Sequence, residues 1–185
     1  MCVVPWECSL DQYASRQLLE LHRSAAYGGA AQATLMYLCQ LDRVLLMHKR
    51  RGHGAGLINA PGGKLEAGET PLACALRETR EEVGLEVEDA RLLGELRFLD
   101  VSGDRTLGWA FRAGRASGEA LVTAEAAPMW FPVDAIPYSR MWPGDRFWLP
   151  WLLSGSPFRA SLLCDGQQVV EARVSAMPRH WQNSC

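Results

Sequence analysis

The stretch from Pro61 to Leu85 constrains this chain more than any other. Pro61-Gly62-Gly63 turns the backbone, a polar loop runs to Glu69, and Thr70-Pro71 then precedes an apolar-periodic run that closes at Gly84. Threonine suits a helix N-cap, and proline suits the first helical position, where its missing N–H would be unpaired anyway. Glycine suits the left-handed C-cap. The spacing predicts a helix over 72–83. Residues three and four apart share a helix face, so Glu78 stands beside both Glu81 and Glu82, while Leu72, Leu76 and Val83 are expected to face a core. Three carboxylates this close repel one another unless something offsets their charge. A hard divalent cation does so, and oxygen-rich sites suit magnesium or manganese. On its own the run Arg77-Glu78-Thr79-Arg80-Glu81-Glu82 also reads as a solvated charged face. The loop before it favours the metal. Gly62 and Gly63 let backbone approach an ion, and Arg77 can hold Glu69 by a charge-assisted bond that fixes loop against helix.

Around this segment the pattern is that of one α/β domain. Strands are expected at 33–38 and 43–47, joined by a turn at Gln40-Leu41-Asp42, with a short extended piece at 57–60. Others are expected at 91–99, 107–112 and 129–132. A second helix is expected over 145–153, then a hairpin from 158–163 and 168–174. Asp11 to Arg23 reads as a short helix with Ala14, Leu18 and Leu21 on one side, ended by Tyr27-Gly28-Gly29. Residues 1–29 are thus an N-terminal extension acting as a packing arm, 30–177 the domain, and 178–185 a loose tail. With 185 residues the chain can bury a sizeable core. A net charge of −2 gives no polyanion-binding surface, so nucleic acid is not an expected partner. The six cysteines (Cys2, Cys8, Cys39, Cys74, Cys164, Cys185) contain no C-x-x-C pair and read as free thiols. With no signal-peptide pattern and no apolar run long enough to span a bilayer, a cytoplasmic protein, off the membrane and monomeric, is expected.

The segment Gly63 to Leu85 resembles the Nudix signature G-x5-E-x7-R-E-U-x-E-E-x-G-U. Gly63, Glu69, Arg77, Glu78, Glu81, Glu82 and Gly84 match every fixed position, and Leu85 fits the last apolar one. Thr79 stands where the family usually has a larger aliphatic residue. The resemblance implies the Nudix fold, an α/β/α sandwich with a mixed sheet, and hydrolysis of a nucleoside diphosphate linked to another group. It implies magnesium, or manganese, held by Glu78, Glu82 and the Gly63 carbonyl, with Glu81 close by and Arg77 and Glu69 completing the catalytic set.

Outside the box, three segments look similar to the oxidised purine nucleoside triphosphatase (MutT-homologue) branch. They are Lys49-Arg50-Arg51-Gly52-His53-Gly54-Ala55-Gly56, Asn59-Ala60-Pro61-Gly62-Gly63-Lys64, and Trp130 through Tyr138 continuing into Met141–Pro150. By position, the resemblance assigns Thr34, Asn59, Phe98, Trp142 and Asp145 to the base pocket and Lys49 to its rim. Glu125 becomes a distal carboxylate able to join the metal. The implied reaction converts an oxidised purine nucleoside triphosphate, such as 8-oxo-dGTP, to monophosphate and pyrophosphate, cleansing the nucleotide pool. One departure bears on specificity: the branch usually has two adjacent aspartates after Trp-Pro, and here stand Gly144 and Asp145. His53 reads as a loop residue without catalytic duty, at a pocket edge where the branch can carry an aromatic ring. Tyr27 and the other tryptophans read as packing residues. The alternatives are a Nudix pyrophosphatase acting on ADP-ribose or another nucleotide, and a non-catalytic ligand sensor of the same fold. The intact carboxylates argue against the sensor.

Overall fold

The computed structural model describes residues 12–21, 23–178 and 181. In chain order the elements are α1 (Gln12–Leu21), a 3-10 turn (Ser24–Tyr27), β1 (Ala31–Gln40), β2 (Arg43–Lys49), β3 (Ile58–Asn59) and α2 (Pro71–Val83). Then come β4 (Glu86–Val87), β5 (Arg91–Asp100), β6 (Arg105–Ala113), β7 (Ala116–Ser117) and β8 (Ala126–Pro132). A 3-10 turn (Tyr138–Arg140), α3 (Asp145–Leu153), β9 (Phe158–Asp165) and β10 (Gln168–Ala176) complete the fold.

Eight strands form one sheet in the order β10-β9-β5-β6-β1-β2-β3, with β8 also paired to β2. It is mixed: β1 runs parallel to β6 and β5 parallel to β9, the other pairs being antiparallel. β1 and β2 are buried over most of their length, because helices cover both faces of the sheet centre. Successive side chains along a strand point to opposite faces. Val44 and Leu46 therefore join Tyr37, Ile58, Leu96 and Phe158 in the core under α3, whose Trp148, Leu149 and Leu152 seal it. Met36, Leu38, Leu45 and Met47 join Ala75 and Val83 of α2 on the other side. Leu18 and Leu21 of α1 bury against Leu99 and Leu163, beside α2's face but at the far end of the sheet. The fold is the α/β/α sandwich expected of the Nudix resemblance.

Strand ends lie within three residues of the sequence expectation, five of them coinciding with it, and the two-residue strands β4 and β7 have no counterpart in it. The larger correction concerns α2. Leu72 is exposed, and the buried stripe consists of Cys74, Ala75, Thr79, Glu82 and Val83. The small side chains Ala75 and Thr79 let the helix lie close on the sheet. Thr79 tolerates burial because its hydroxyl donates to the Ala75 carbonyl at 2.7 Å. Asp11 and the Ala14 side chain lie outside the described residues, as do Cys2, Cys8, Cys185 and most of the tail. Cys39, Cys74 and Cys164 are free thiols.

Candidate active site

The box helix is set by its caps. Thr70 Oγ1 accepts from Ala73 N at 3.2 Å, and Gly84 closes the helix in the left-handed region at φ 75°. The loop ahead of it is strapped by one arginine. Arg77 Nε and Nη2 each donate to a different oxygen of Glu69, both at 2.9 Å, and Nη1 donates to Glu78 at 2.9 Å and Glu81 at 3.2 Å. This pairing pulls the Glu69 carboxyl down to about 2. Gly63 lies directly against Glu78: a Cβ there would come within 2.2 Å of Oε1, so only glycine lets the two share the space. The Gly63 carbonyl accepts from Thr34 N at 2.8 Å, tying the loop to β1. Glu82 is 1 % exposed, and both oxygens are engaged: Oε1 by the Lys49 ammonium and Oε2 by the Gly62 N–H at 2.9 Å. Burial pushes its carboxyl upward, against the pull of Lys49 and Gly62. Glu125 lies exposed on the turn before β8, its carboxylate 4.0 Å from Lys49 Nζ.

On the opposite face of the sheet a different cluster forms at the start of α3. Asp145 is the first residue of that helix, 5 % exposed, and its Oδ2 has no hydrogen-bond partner among the described residues. Burial pushes its carboxyl up to about 7. Tyr37 Oη and Trp148 Nε1, whose rings meet edge-on at 5.9 Å, are likewise buried without partners. Trp142 is half-buried and stacks on His53, centroids 4.9 Å apart and planes 22° apart. Gly54 packs against the same indole, in the left-handed region at φ 80°. A Cβ on Gly144 would meet the β9–β10 hairpin, coming within 2.7 Å of Leu162 Cδ2. Where the branch usually has its other aspartate, this chain has a leucine packed against backbone.

A NUDIX domain model matches residues 30–152, two thirds of the chain. The chain belongs to the Nudix hydrolase family. Among its relatives, the zebrafish (Danio rerio) oxidized purine nucleoside triphosphate hydrolase is 38% identical over 138 residues, 74% of this chain and 88% of the relative. The mouse (Mus musculus) protein of the same name is 39% identical over 126 residues, covering 68% and 81%. A MutT protein crystal structure from Bacillus halodurans superposes with a TM-score of 0.70 at 27% identity, over 80% of this chain and 99% of that one.

Nudix hydrolases generally use divalent metal ions. Among the described residues, no three His, Cys, Asp or Glu side chains converge closely enough to hold an ion by themselves. The donors whose chemistry fits are hard oxygens of mixed origin: the carboxylates of Glu78 and Glu82, and the carbonyl of Gly63, whose α-carbon lies against Glu78. Such a set suits an oxygen-seeking cation that keeps several waters.

The sheet divides the residues assigned to base recognition. Thr34 and Lys49 turn toward α2, the Thr34 hydroxyl reaching Cys74 Sγ at 3.3 Å and Lys49 reaching Glu82. Phe98 packs on the α3 side, with Trp142 and Asp145 at the start of α3. Asn59 lies half-buried on β3, its Oδ1 accepting from Ala60 N at 2.9 Å. The His53–Trp142 stack gives the glycine-rich loop a contact with Trp142, at the pocket edge where the resemblance puts His53. Its signal was the glycine spacing: Gly52, Gly54 and Gly56 all adopt positive φ, which curls the loop back.

Proposed function

We propose that this Nudix hydrolase converts oxidised purine nucleoside triphosphates, such as 8-oxo-dGTP, to the monophosphate and pyrophosphate. One observation carries the purine reading: a buried carboxyl, Asp145, with an oxygen unpartnered among the described residues, three residues after Trp142, a half-buried indole with one face on His53. The Nudix box and the names of the zebrafish and mouse relatives support the triphosphate reading. Magnesium, with manganese as a substitute, is assigned to Glu78, Glu82 and the Gly63 carbonyl, with Glu125 joining from its exposed turn. Such an ion offsets phosphate charge and lowers the pKa of a bound water.

The chain's own residues do the positioning. Arg77 fixes the loop through Glu69 and orients Glu78, with Glu81 on the same guanidinium. On the recognition side, Trp142 stacks on the base and Asp145 bonds its edge, with Asn59 reaching the base from the end of β3. Phe98 adds apolar wall, and Thr34 and Lys49 support the phosphate-facing side. Within this reading, residues 30–177 make up the hydrolase domain and 1–29 an N-terminal extension to it. A cytoplasmic monomer with no nucleic-acid or membrane partner fits the charge; among the described residues no helix is long and apolar enough to cross a membrane.

The deciding experiment is pyrophosphate release from oxidised, methylated and unmodified purine triphosphates and from ADP-ribose, in magnesium and in chelator. The proposal requires magnesium-dependent turnover with an oxidised purine preferred. Preference for ADP-ribose, or equal turnover in chelator, overturns it.

A further inference from the structure

The ion pair between Lys49 and Glu82 is out of character with the rest of the site. Glu69, Glu78 and Glu81 share Arg77, a guanidinium locked in place by two parallel bonds to Glu69. Glu82, the most buried of the four, is held instead by a single ammonium on a flexible four-carbon stem. The backbone of Lys49 is pinned on both sides, its N–H donating to Leu57 O at 2.9 Å and its carbonyl accepting from Gly56 N at 2.8 Å. Only the side chain is free to swing. A second resting place is ready, because the exposed Glu125 carboxylate lies 4.0 Å from Nζ. The turn that carries it is latched to α2 through Thr123 Oγ1, which donates to the Glu82 carbonyl at 3.0 Å, and to Arg50 N, which donates to the Glu125 carbonyl at 2.7 Å.

We propose that the Lys49 ammonium is a resident counter-ion for Glu82 that is displaced when a divalent cation takes Glu82 Oε1, swinging toward Glu125 for as long as that carboxylate is not itself on the metal. The inference rests on the reading of Glu82 as a metal ligand. Its physical basis is exclusion. A buried, ionised carboxylate is costly without a positive partner, so Glu82 needs one in the metal-free protein. A magnesium-sized ion bonds such an oxygen at about 2.1 Å and an ammonium at about 2.8 Å. Held on one oxygen, the two cations would stand close enough to repel strongly. Gly62 N–H already engages Oε2, which leaves less room there for Lys49 to slide across. Lysine thus keeps the site charge-balanced and folded before metal arrives, at the cost of weaker metal binding.

The test uses the full chain without nucleotide. Manganese binding is followed by electron paramagnetic resonance for wild type, Lys49→Met and Glu82→Gln, and melting temperatures are taken in chelator and in saturating manganese. Lys49→Met should bind manganese roughly tenfold to a hundredfold more tightly, as expected when a charge-assisted bond no longer competes. It should melt lower than wild type in chelator and recover in manganese. Unchanged or weaker binding, or an equal melting loss in both conditions, overturns the displacement, since lysine and ion would then share Glu82. The ligand reading fails separately, if wild type binds no manganese or Glu82→Gln binds it as well as wild type. A wild-type measurement covers the case in which Lys49→Met does not fold. Lys49 and Lys64 are the chain's only lysines, so 15N-lysine labelling gives two side-chain ammonium signals, assigned with Lys64→Arg. The Lys49 signal should lose its solvent protection as magnesium saturates the site; an unchanged signal at saturation overturns the proposal.

Discussion

The two faces of the sheet treat their polar groups in opposite ways. On the α2 face the four box carboxylates all have cationic partners, and Glu82 has a backbone N–H as well. At the start of α3, Asp145 Oδ2 is buried and, among the described residues, has nothing to bond, as is the case for Tyr37 Oη and Trp148 Nε1 in the same core. Each such group costs roughly 1–3 kcal/mol. One side is electrostatically complete before any ligand arrives, while the other keeps polar capacity that a ligand edge can meet. Chemistry that must be identical for every substrate can be prebuilt, whereas recognition has to leave something for the substrate to supply.

If this contrast is right, damage to the prebuilt face should be most severe. Glu82→Gln should lower kcat by about a thousandfold, since loss of a metal ligand forfeits several kcal/mol of charge stabilisation. Pyrophosphate release at saturating substrate measures this, with circular dichroism to confirm folding; near-normal turnover by a folded variant would end the metal reading. Gly63→Ala comes next. Its methyl would displace the Glu78 carboxylate, and a misplacement of about 1 Å costs roughly a hundredfold. Here kcat should fall with little change in melting temperature.

The recognition face should respond less, and mainly in binding. Trp142→Ala removes a stacking surface worth about 2 kcal/mol, so KM should rise roughly thirtyfold while kcat moves little. Unchanged kinetics would return this indole to a purely packing role against His53. The smallest effect on rate belongs to Asp145→Asn, about threefold to tenfold in kcat/KM and different for each purine. Its clearer sign is in pH. The folded carboxyl titrates near 7, against an ordinary value of 3.8, so between these values the folded state holds a proton that the unfolded chain has released. This group's contribution to stability therefore falls as pH rises from about 4 to 7. Wild type should lose melting temperature relative to Asp145→Asn across that window, by roughly 5 °C. Parallel melting curves for the two proteins would show that Asp145 is not buried unpaired.

What could be read from the sequence was whatever local chemistry decides. The caps of α2 and the Asp145–Leu153 span of α3 depend on neighbouring residues, and both stand as the pattern implied. Of the residues expected to face the core from α2, Val83 and the half-buried Leu76 do so and Leu72 does not, because hydrophobicity favours Leu72 over Thr79 and Glu82. Which side of a helix is buried depends on how closely it approaches the sheet. The Lys49–Glu82 pair spans 33 residues and the His53–Trp142 stack 89, and no periodicity records such distances. The two-residue strands β4 and β7 are too short and polar to leave a pattern.

The contact between Gly144 and Leu162 has a consequence for the order in which specificity can change. An aspartate introduced at 144 meets Leu162 Cδ2 at 2.7 Å from its first side-chain atom, in a layer where Leu162 is fully buried. Gly144→Asp alone therefore carries a packing penalty and a second buried carboxyl together, and Leu162→Ala alone opens a void. The two substitutions relieve each other, so their combined effect should be far from the sum of the separate ones. A smaller residue at 162 would therefore act as a permissive step for a lineage moving toward the paired-aspartate pocket, and a leucine grown into that space would hinder the return of one that has left it.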